Sequence, residues 1–341
     1  MSTFEHMILV TGGTGLVGAH LLFQLVNKGG LVKAIHRKQS DLSRVKKVFS
    51  YYSENAAELF NKIEWIETDL NNLPELEIAF TNVTHVYHAA ALISFDPRDY
   101  NKLRKVNVNG TENIVNICIA KKIKKLCYVS TIGTIGPSIN GEIMTEENEW
   151  SDTNANVYAL TKYDAEMEVW RASQEGLDVV IVNPGVIIGP GFWNIGSGKL
   201  FSMAATGQKY YPPSGTGFIA VNDVIKIMIS LMESSIINEH FITVSENLTY
   251  KEILESIATE LKKPAPKKEL KFWQLEILWR LDWLKSLFTG KGRKLTRNSV
   301  ISLHNRRFFS NEKITNELQF IYEPIKKTVQ FSCQYFEQEN S

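Results

Sequence analysis

The chain has 341 residues, 44% of them hydrophobic, enough for one large domain or two modest ones with a sizeable core. Its 38 Lys and Arg against 37 Asp and Glu leave a formal charge of +1, a balance that predicts no strong attraction to nucleic acid or to anionic lipid. Three scattered cysteines, Cys118, Cys127 and Cys333, suggest reduced thiols in a cytoplasmic compartment, and the absence of CxxC or HExxH spacings argues against a metal.

In chain order, the first half alternates short Val- and Ile-rich runs with longer amphipathic ones. Strands are expected at 7–11 (MILVT), 31–36 (LVKAIH), 63–68, 85–90, 125–130 and 178–184, and helices at 16–28, 41–60, 99–121 and 157–175. Such alternation indicates βαβ units, and right-handed crossovers then make a doubly wound parallel sheet, a Rossmann-type α/β fold. No charged-then-apolar leader opens the chain. The basic run Lys121–Lys125 reads as a solvated corner.

After Pro184 a Gly-rich irregular stretch crosses the carboxyl edge of the sheet. Then come a helix at 222–232, a strand near 241–244, a helix at 250–261, a connector at 262–268 and an aromatic-rich helical tail. The expected division is residues 1–185, with 220–247 returning, as dinucleotide-binding domain. Residues 186–219 and 248–341 form a smaller C-terminal substrate-binding subdomain. Residues 271–288 are apolar but interrupted by Glu276, Arg280, Asp282 and Lys285, so they fail the test for a membrane span. A buried or lid helix is expected there; contact with a bilayer interface is the alternative.

"TGGTGLVG" lies between the first strand and first helix, parsed as Gly13, Gly15, Gly18 or as Gly12, Gly15, Gly18. Glycines there permit the tight turn and the close approach of backbone to a pyrophosphate. The helix N-terminus, with Thr14, Leu16 and Val17 around it, offers free N–H groups and a partial positive charge. Tyr158 and Lys162 are spaced to share one helical face, so the ammonium can lower the phenol's pKa and make it a proton donor and acceptor.

Together with Asp69–Leu70, "HAAA" at 88–91, "NVNGT" at 107–111 and "YVST" at 128–131, these motifs make residues 7 to about 230 resemble the extended short-chain dehydrogenase/reductases. The resemblance implies Tyr158 as general acid/base, Lys162 holding the nicotinamide ribose, and Thr131 or the adjacent Ser130 orienting the substrate oxygen. It implies that Asn107 supports the lysine through a helix distortion and water, and that Asp69 bonds adenine. Ala89, Ala90 and Ala91 let backbone graze the cofactor, and Pro184, Gly185 and Val186 lie along the nicotinamide. His88 is read as structural.

At the end of the second strand His36 occupies the place of the usual acid, with Arg37 and Lys38 following; with no carboxylate there for a ribose 2′-hydroxyl, NADP(H) is preferred over NAD(H). Ile132 and Gly133 replace the acid pair of related dehydratases, and "PPSGTGFIAVNDV" lacks an epimerase-type arginine. The resemblance therefore narrows to the branch of dihydroflavonol 4-reductases and 3β-hydroxysteroid dehydrogenases. The implied activity is hydride transfer to the carbonyl of a small, apolar or aromatic substrate. A sugar-nucleotide epimerase with retained NAD and a non-catalytic NADP sensor are the alternatives. Phe95, Ile132, Trp193, Tyr210, Phe218 and Trp283 are candidate substrate contacts. A homodimer through the helices at 99–121 and 157–175 is the expected assembly.

Overall fold

The computed structural model describes residues 6–138, 141–153, 155–289, 293, 295–297, 300, 303 and 306–340. Seven parallel strands form the central sheet. In chain order they are β1 (Met7–Thr11), β2 (Leu31–His36), β3 (Glu64–Glu67), β4 (Val83–His88), β5 (Lys125–Val129), β6 (Asp178–Pro184) and, after short strands described below, Glu239–Thr243. Their order across the sheet runs from Glu239–Thr243 through β6, β5, β4, β1 and β2 to β3. This is the doubly wound arrangement read from the alternation, and its direction reverses between β1 and β4.

Period-two side chains feed two cores. Ile8 and Val10 face one side with Leu21, Leu25 and Met228; Leu9 faces the other with Val86, Ile114, Leu126 and Val169. The crossover helices are α1 (Leu16–Asn27), α2 (Leu42–Ser50), α3 (Ala56–Asn61), α4 (Leu73–Ala79), α5 (Tyr100–Leu103), α6 (Gly110–Ala120) and α7 (Val157–Gln174). The span expected as one helix at 41–60 is two, broken where Ser53 Oγ accepts from Asn55 N and the chain turns. The span at 99–121 is not uniform either. Between α5 and α6, residues Arg104–Asn109 adopt a π-helix.

Beyond β6 come β7 (Val186–Ile188), α8 (Lys199–Ala205), β8 (Tyr210–Tyr211), β9 (Gly215–Ala220), α9 (Val221–Glu233), β10 (the seventh sheet strand, Glu239–Thr243), β11 (Glu246–Thr249) and α10 (Tyr250–Glu260). β9 pairs antiparallel with β11 and parallel with β7. A third core, with Trp193, Phe201, Phe218, Ile257, Val329 and Phe336, joins this small sheet to α8, α10 and the C-terminal helix Ile325–Asn340. α10 begins with a capping box between Thr249 and Glu252. α11 (Phe272–Thr289) follows; of the aromatic-rich tail, several residues between 290 and 305 lie outside the described residues.

Candidate active site

The crevice lies where the strand order reverses, at the carboxyl ends of β1 and β4. Gly12 has φ +71, and a Cβ there would stand 2.6 Å from Ala90 N and 2.7 Å from the Ala89 carbonyl. At Gly18 a Cβ would lie 2.2 Å from Gly12 O, so helix and turn can touch only through hydrogen. Gly13 meets chiefly the flexible tip of Leu22, which resolves the fingerprint as Gly12, Gly15, Gly18. Gly15 N-caps α1 without a side-chain bond and no acid occupies the first turn, so the leading N–H groups of Leu16 and Val17 face the crevice uncapped. Thr14, Leu16 and Val17 are half-buried around it. This cradle fits a pyrophosphate, as a dinucleotide requires.

Around it, Ala89 and Ala90 are half-buried and Ala91 exposed; Asp69 is exposed, its carboxylate accepting from Asn71 N at 2.7 Å. Leu70 is buried under Gly110. At the end of β2, His36 packs edge-on to Trp65 at 5.8 Å, while Arg37 and Lys38 are exposed and pair with no acid among the described residues. Pro184 is buried at the end of β6, with Gly185 and Val186 half-buried beyond it.

The chemistry-bearing side chains gather where α7 packs across the carboxyl end of β5. Asn156 caps α7 through its side chain, accepting from Ala159 N at 2.9 Å, which sets the first turn. Tyr158 in that turn is half-buried, with the ring of Phe95 edge-on at 5.9 Å. One turn on, Lys162 is buried. Its Nζ donates to Tyr128 Oη at 2.5 Å and to Val129 O at 2.8 Å. Burial pulls the lysine down to about 7, against the opposing charge of Glu166. Burial pushes the Tyr158 phenol up, to about 12. The acidified phenol expected from the spacing is thus not a property of the chain's own charges: the ammonium is turned toward β5, and desolvation governs the phenol.

The two hydroxyls of "YVST" have different duties. Ser130 is buried and donates to Glu166 Oε2 at 2.5 Å. The same carboxylate accepts from Thr134 at 3.0 Å and Asn183 at 3.1 Å, and His240 Nδ1 stands 3.7 Å from its other oxygen. Burial alone would raise Glu166; the His240 imidazole and the Ser130 and Thr134 hydroxyls outweigh it and hold the carboxyl below its ordinary value. Thr131 is half-buried, and its Oγ1 accepts from Gly133 N at 3.1 Å. Its own hydrogen stays free to be donated. Glu166, which continues the Tyr158–Lys162 row by one turn, was missed from sequence although the i+4 spacing would have found it.

Asn107 lies within the π-helical stretch and is buried. Its Oδ1 accepts from Leu92 N at 2.7 Å, and its Nδ2 donates to Leu92 O at 3.1 Å and Thr161 Oγ1 at 3.2 Å. It ties the segment after "HAAA" to α7 next to Lys162 rather than touching the lysine. His88 is fully buried between Thr11 Oγ1 at 2.6 Å and Thr111 Oγ1 at 2.9 Å. Thr111 donates onward to Asn107 O, so Nε2 of His88 carries the proton and Nδ1 accepts from Thr11. Burial, with the nearby Lys162 charge, lowers His88 to about 3, so it is a neutral link between β1, β4 and α6.

Of the aromatic and apolar candidates for substrate contact, Phe95 alone has a ring contact with Tyr158. Trp193 and Phe218 belong to the third core, the Trp193 indole donating to Glu339 at 2.9 Å. Ile132 is buried, and Tyr210 and Trp283 are exposed.

A doubly wound sheet with a glycine-lined helix N-terminus at its switch point and a Tyr–Lys row beside it defines a nucleotide-dependent oxidoreductase of the Rossmann class. Residues 10–253 match the NAD-binding family described as Male sterility protein, and the chain belongs to it, within the extended short-chain dehydrogenase/reductases. A Synechocystis protein named for dihydroflavonol 4-reductase is 27% identical over 96% of this chain and 94% of its own length. "Sterol demethylase protein B" of Methylococcus capsulatus is 27% identical over 76% of each chain. Among solved structures, that of gox2253 superposes with a TM-score of 0.82 at 26% identity, covering 98% of this chain and 99% of that one. The UDP-glucose 4-epimerase of Thermotoga maritima, at TM-score 0.74 and 18% identity, covers 98% of this chain and 100% of its own and shares the fold. The chain is an NAD(P)-dependent enzyme of the reductase and dehydrogenase type.

Proposed function

We propose that the chain reduces the carbonyl of a small apolar or aromatic compound, or oxidises the matching alcohol, with NADP(H). A nicotinamide supplies or accepts the hydride; proton handling and positioning fall to the chain. Tyr158, kept protonated by burial, is the acid that gives its proton to the substrate oxygen in reduction. Thr131 donates a second hydrogen bond to that oxygen, since its lone pair is already engaged by Gly133 N–H. Ser130 is committed to Glu166 and takes no part. Lys162, one turn beyond Tyr158 and held at Tyr128 Oη and Val129 O, completes the row as the group that holds the nucleotide ribose. Asn107 fixes the floor on which that row stands.

The observation that carries this reading is the half-buried Tyr158 on the first turn of α7, the buried Lys162 one turn on and bonded to the end of β5, and Thr131 just beyond that strand end with its hydroxyl accepting from Gly133 N. No carboxylate follows Thr131 in its turn, which disfavours dehydration. Arg37 and Lys38, exposed and without an acidic partner among the described residues, support NADP(H) through a 2′-phosphate. Phe95, beside Tyr158, and the exposed Ile93 on the same loop support an apolar substrate. Reductases named for cinnamoyl-CoA and for tetraketide alpha-pyrone are among the relatives and suit it. We assign substrate binding to 186–219 and 248–341 together with the 92–98 loop. The test is NADPH consumption by the purified chain against a panel of aromatic, steroidal and aliphatic carbonyls. Turnover of one of them supports the reading; tightly retained NAD with turnover of sugar nucleotides only would overturn it.

A further inference from the structure

α11 carries apolar side chains on all sides, its outward side included. The side turned to the rest of the protein runs through Leu275, Trp279, Asp282 and Ser286, the least exposed positions of its outer turns, and two of these are polar. The opposite side presents Trp273, Ile277, Leu281, Leu284 and Phe288, exposed by 58%, 48%, 55%, 42% and 87%. A surface helix that served only its own core would carry polar residues on that outward side. Arg280, the charge within this face, is folded back onto Glu276 at 2.6 Å.

Charge is concentrated around the same helix. Between residues 262 and 297 the sequence holds eleven Lys and Arg against three Asp and Glu, although the whole chain carries only +1. The remainder is therefore net acidic, and the average that argued against anionic surfaces hides a strong local asymmetry. Lys262, Lys263, Lys267, Lys268 and Lys271 lead into the helix, and all five are exposed. Among the described residues no helix is long and apolar enough to cross a membrane. Length and charge suit a helix lying in the headgroup plane, with tryptophan at the boundary and lysine against anionic headgroups.

The helix is also fastened to the site. Arg293 N, just beyond it, donates to Asp96 Oδ2 at 2.7 Å, and Leu295 N to Asp282 at 3.0 Å. Asp96 follows Phe95, the ring that meets Tyr158. We infer that α11 and its basic flanks dock the enzyme on an anionic lipid bilayer, with the outer face of α11 in the interface. The active-site loop is thereby held next to the lipid surface. That the substrate is a membrane-partitioned lipophilic carbonyl or alcohol rests on the reductase reading above; the docking does not.

The experiment is flotation of the full chain with vesicles of phosphatidylcholine alone and of phosphatidylcholine with 30% phosphatidylglycerol, read without turnover. At low salt the expected result is at least tenfold more protein floating with the anionic vesicles, falling as salt rises. Leu281→Glu, Leu284→Glu and Phe288→Glu together should abolish flotation while NADPH binding persists. Lys267→Glu, Lys268→Glu and Lys271→Glu together should remove the anionic preference, which decides the matter if the apolar variant does not fold. Absence of flotation with either vesicle, or flotation unchanged in the lysine variant, overturns the inference. So does a solution dimer split by the apolar variant without vesicle binding, which would give this face to a second copy. None of these results bears on whether Tyr158 drives turnover.

Discussion

Lys162 Nζ stands 4.1 Å from the ring centre of Tyr128 while donating to the hydroxyl of the same residue at 2.5 Å. One aromatic side chain thus both shields the ammonium from water and satisfies it. The balance favours the neutral amine more than water does, and the lysine sits at about 7.

This has a consequence for stability. The ordinary lysine value of 10.5 applies to the unfolded chain, so between about 7 and 10.5 the unfolded state binds a proton that the folded state releases. Stability from this residue therefore rises with pH across that window. Compared with Lys162→Met, the native chain should gain up to about 3 kcal/mol between pH 7 and 9.5. Urea unfolding midpoints of the two proteins at both pH values check the difference.

Gly12 and Gly15 should respond differently to alanine. At Gly12 the added methyl collides with Ala89 and Ala90 backbone at positive φ, so Gly12→Ala should cost about 3 kcal/mol and lower the Tm. At Gly15 the methyl meets only Gly12 O, at 3.4 Å. Gly15→Ala should fold normally and bind NADPH about tenfold more weakly, because its methyl points where a pyrophosphate approaches. Thermal unfolding beside fluorescence titration with NADPH separates the two effects.

Ser130 and Thr131 divide stability from activity. Ser130→Ala leaves the buried Glu166 short of one donor and should cost about 1–3 kcal/mol, with turnover little changed. Thr131→Ala should lower kcat about 10²-fold while costing about 1 kcal/mol for the lost bond from Gly133 N, and Thr131→Ser should restore most of both. Equal loss of activity in both alanine variants would remove the distinction.

Arg37 should set cofactor choice. Arg37→Asp places a carboxylate at the end of β2, where it repels a 2′-phosphate and can accept from a ribose hydroxyl. The KM for NADPH should rise about tenfold and that for NADH fall. Parallel kinetics with the two nucleotides decide it.

Much of this was legible in the chain itself, and what was not has physical causes. Strands such as Met7–Thr11 and Asp178–Pro184 announce themselves because both faces are buried, leaving an unbroken apolar run between turn residues. The break at Ser53 inside 41–60 and the π-helical turn at Arg104–Asn109 leave the apolar periodicity nearly intact, so the pattern does not reveal them. The two parsings of the glycine motif differ only in which glycine meets backbone, a tertiary fact carried by Ala89 and Ala90. The separate duties of Ser130 and Thr131 depend on Glu166, distant in sequence from both. The apolar content of 271–288 was plain, but not which side of the helix faces outward, because its hydrophobic residues encircle it.

The central claim is that Tyr158 supplies the proton in a nicotinamide-dependent reduction, and Tyr158→Phe tests it most directly. With a carbonyl substrate found by NADPH consumption, the variant should bind NADPH as the native chain does and lose about 10²–10⁴-fold in kcat. Turnover undiminished in Tyr158→Phe, with the nucleotide bound as before, would contradict the account.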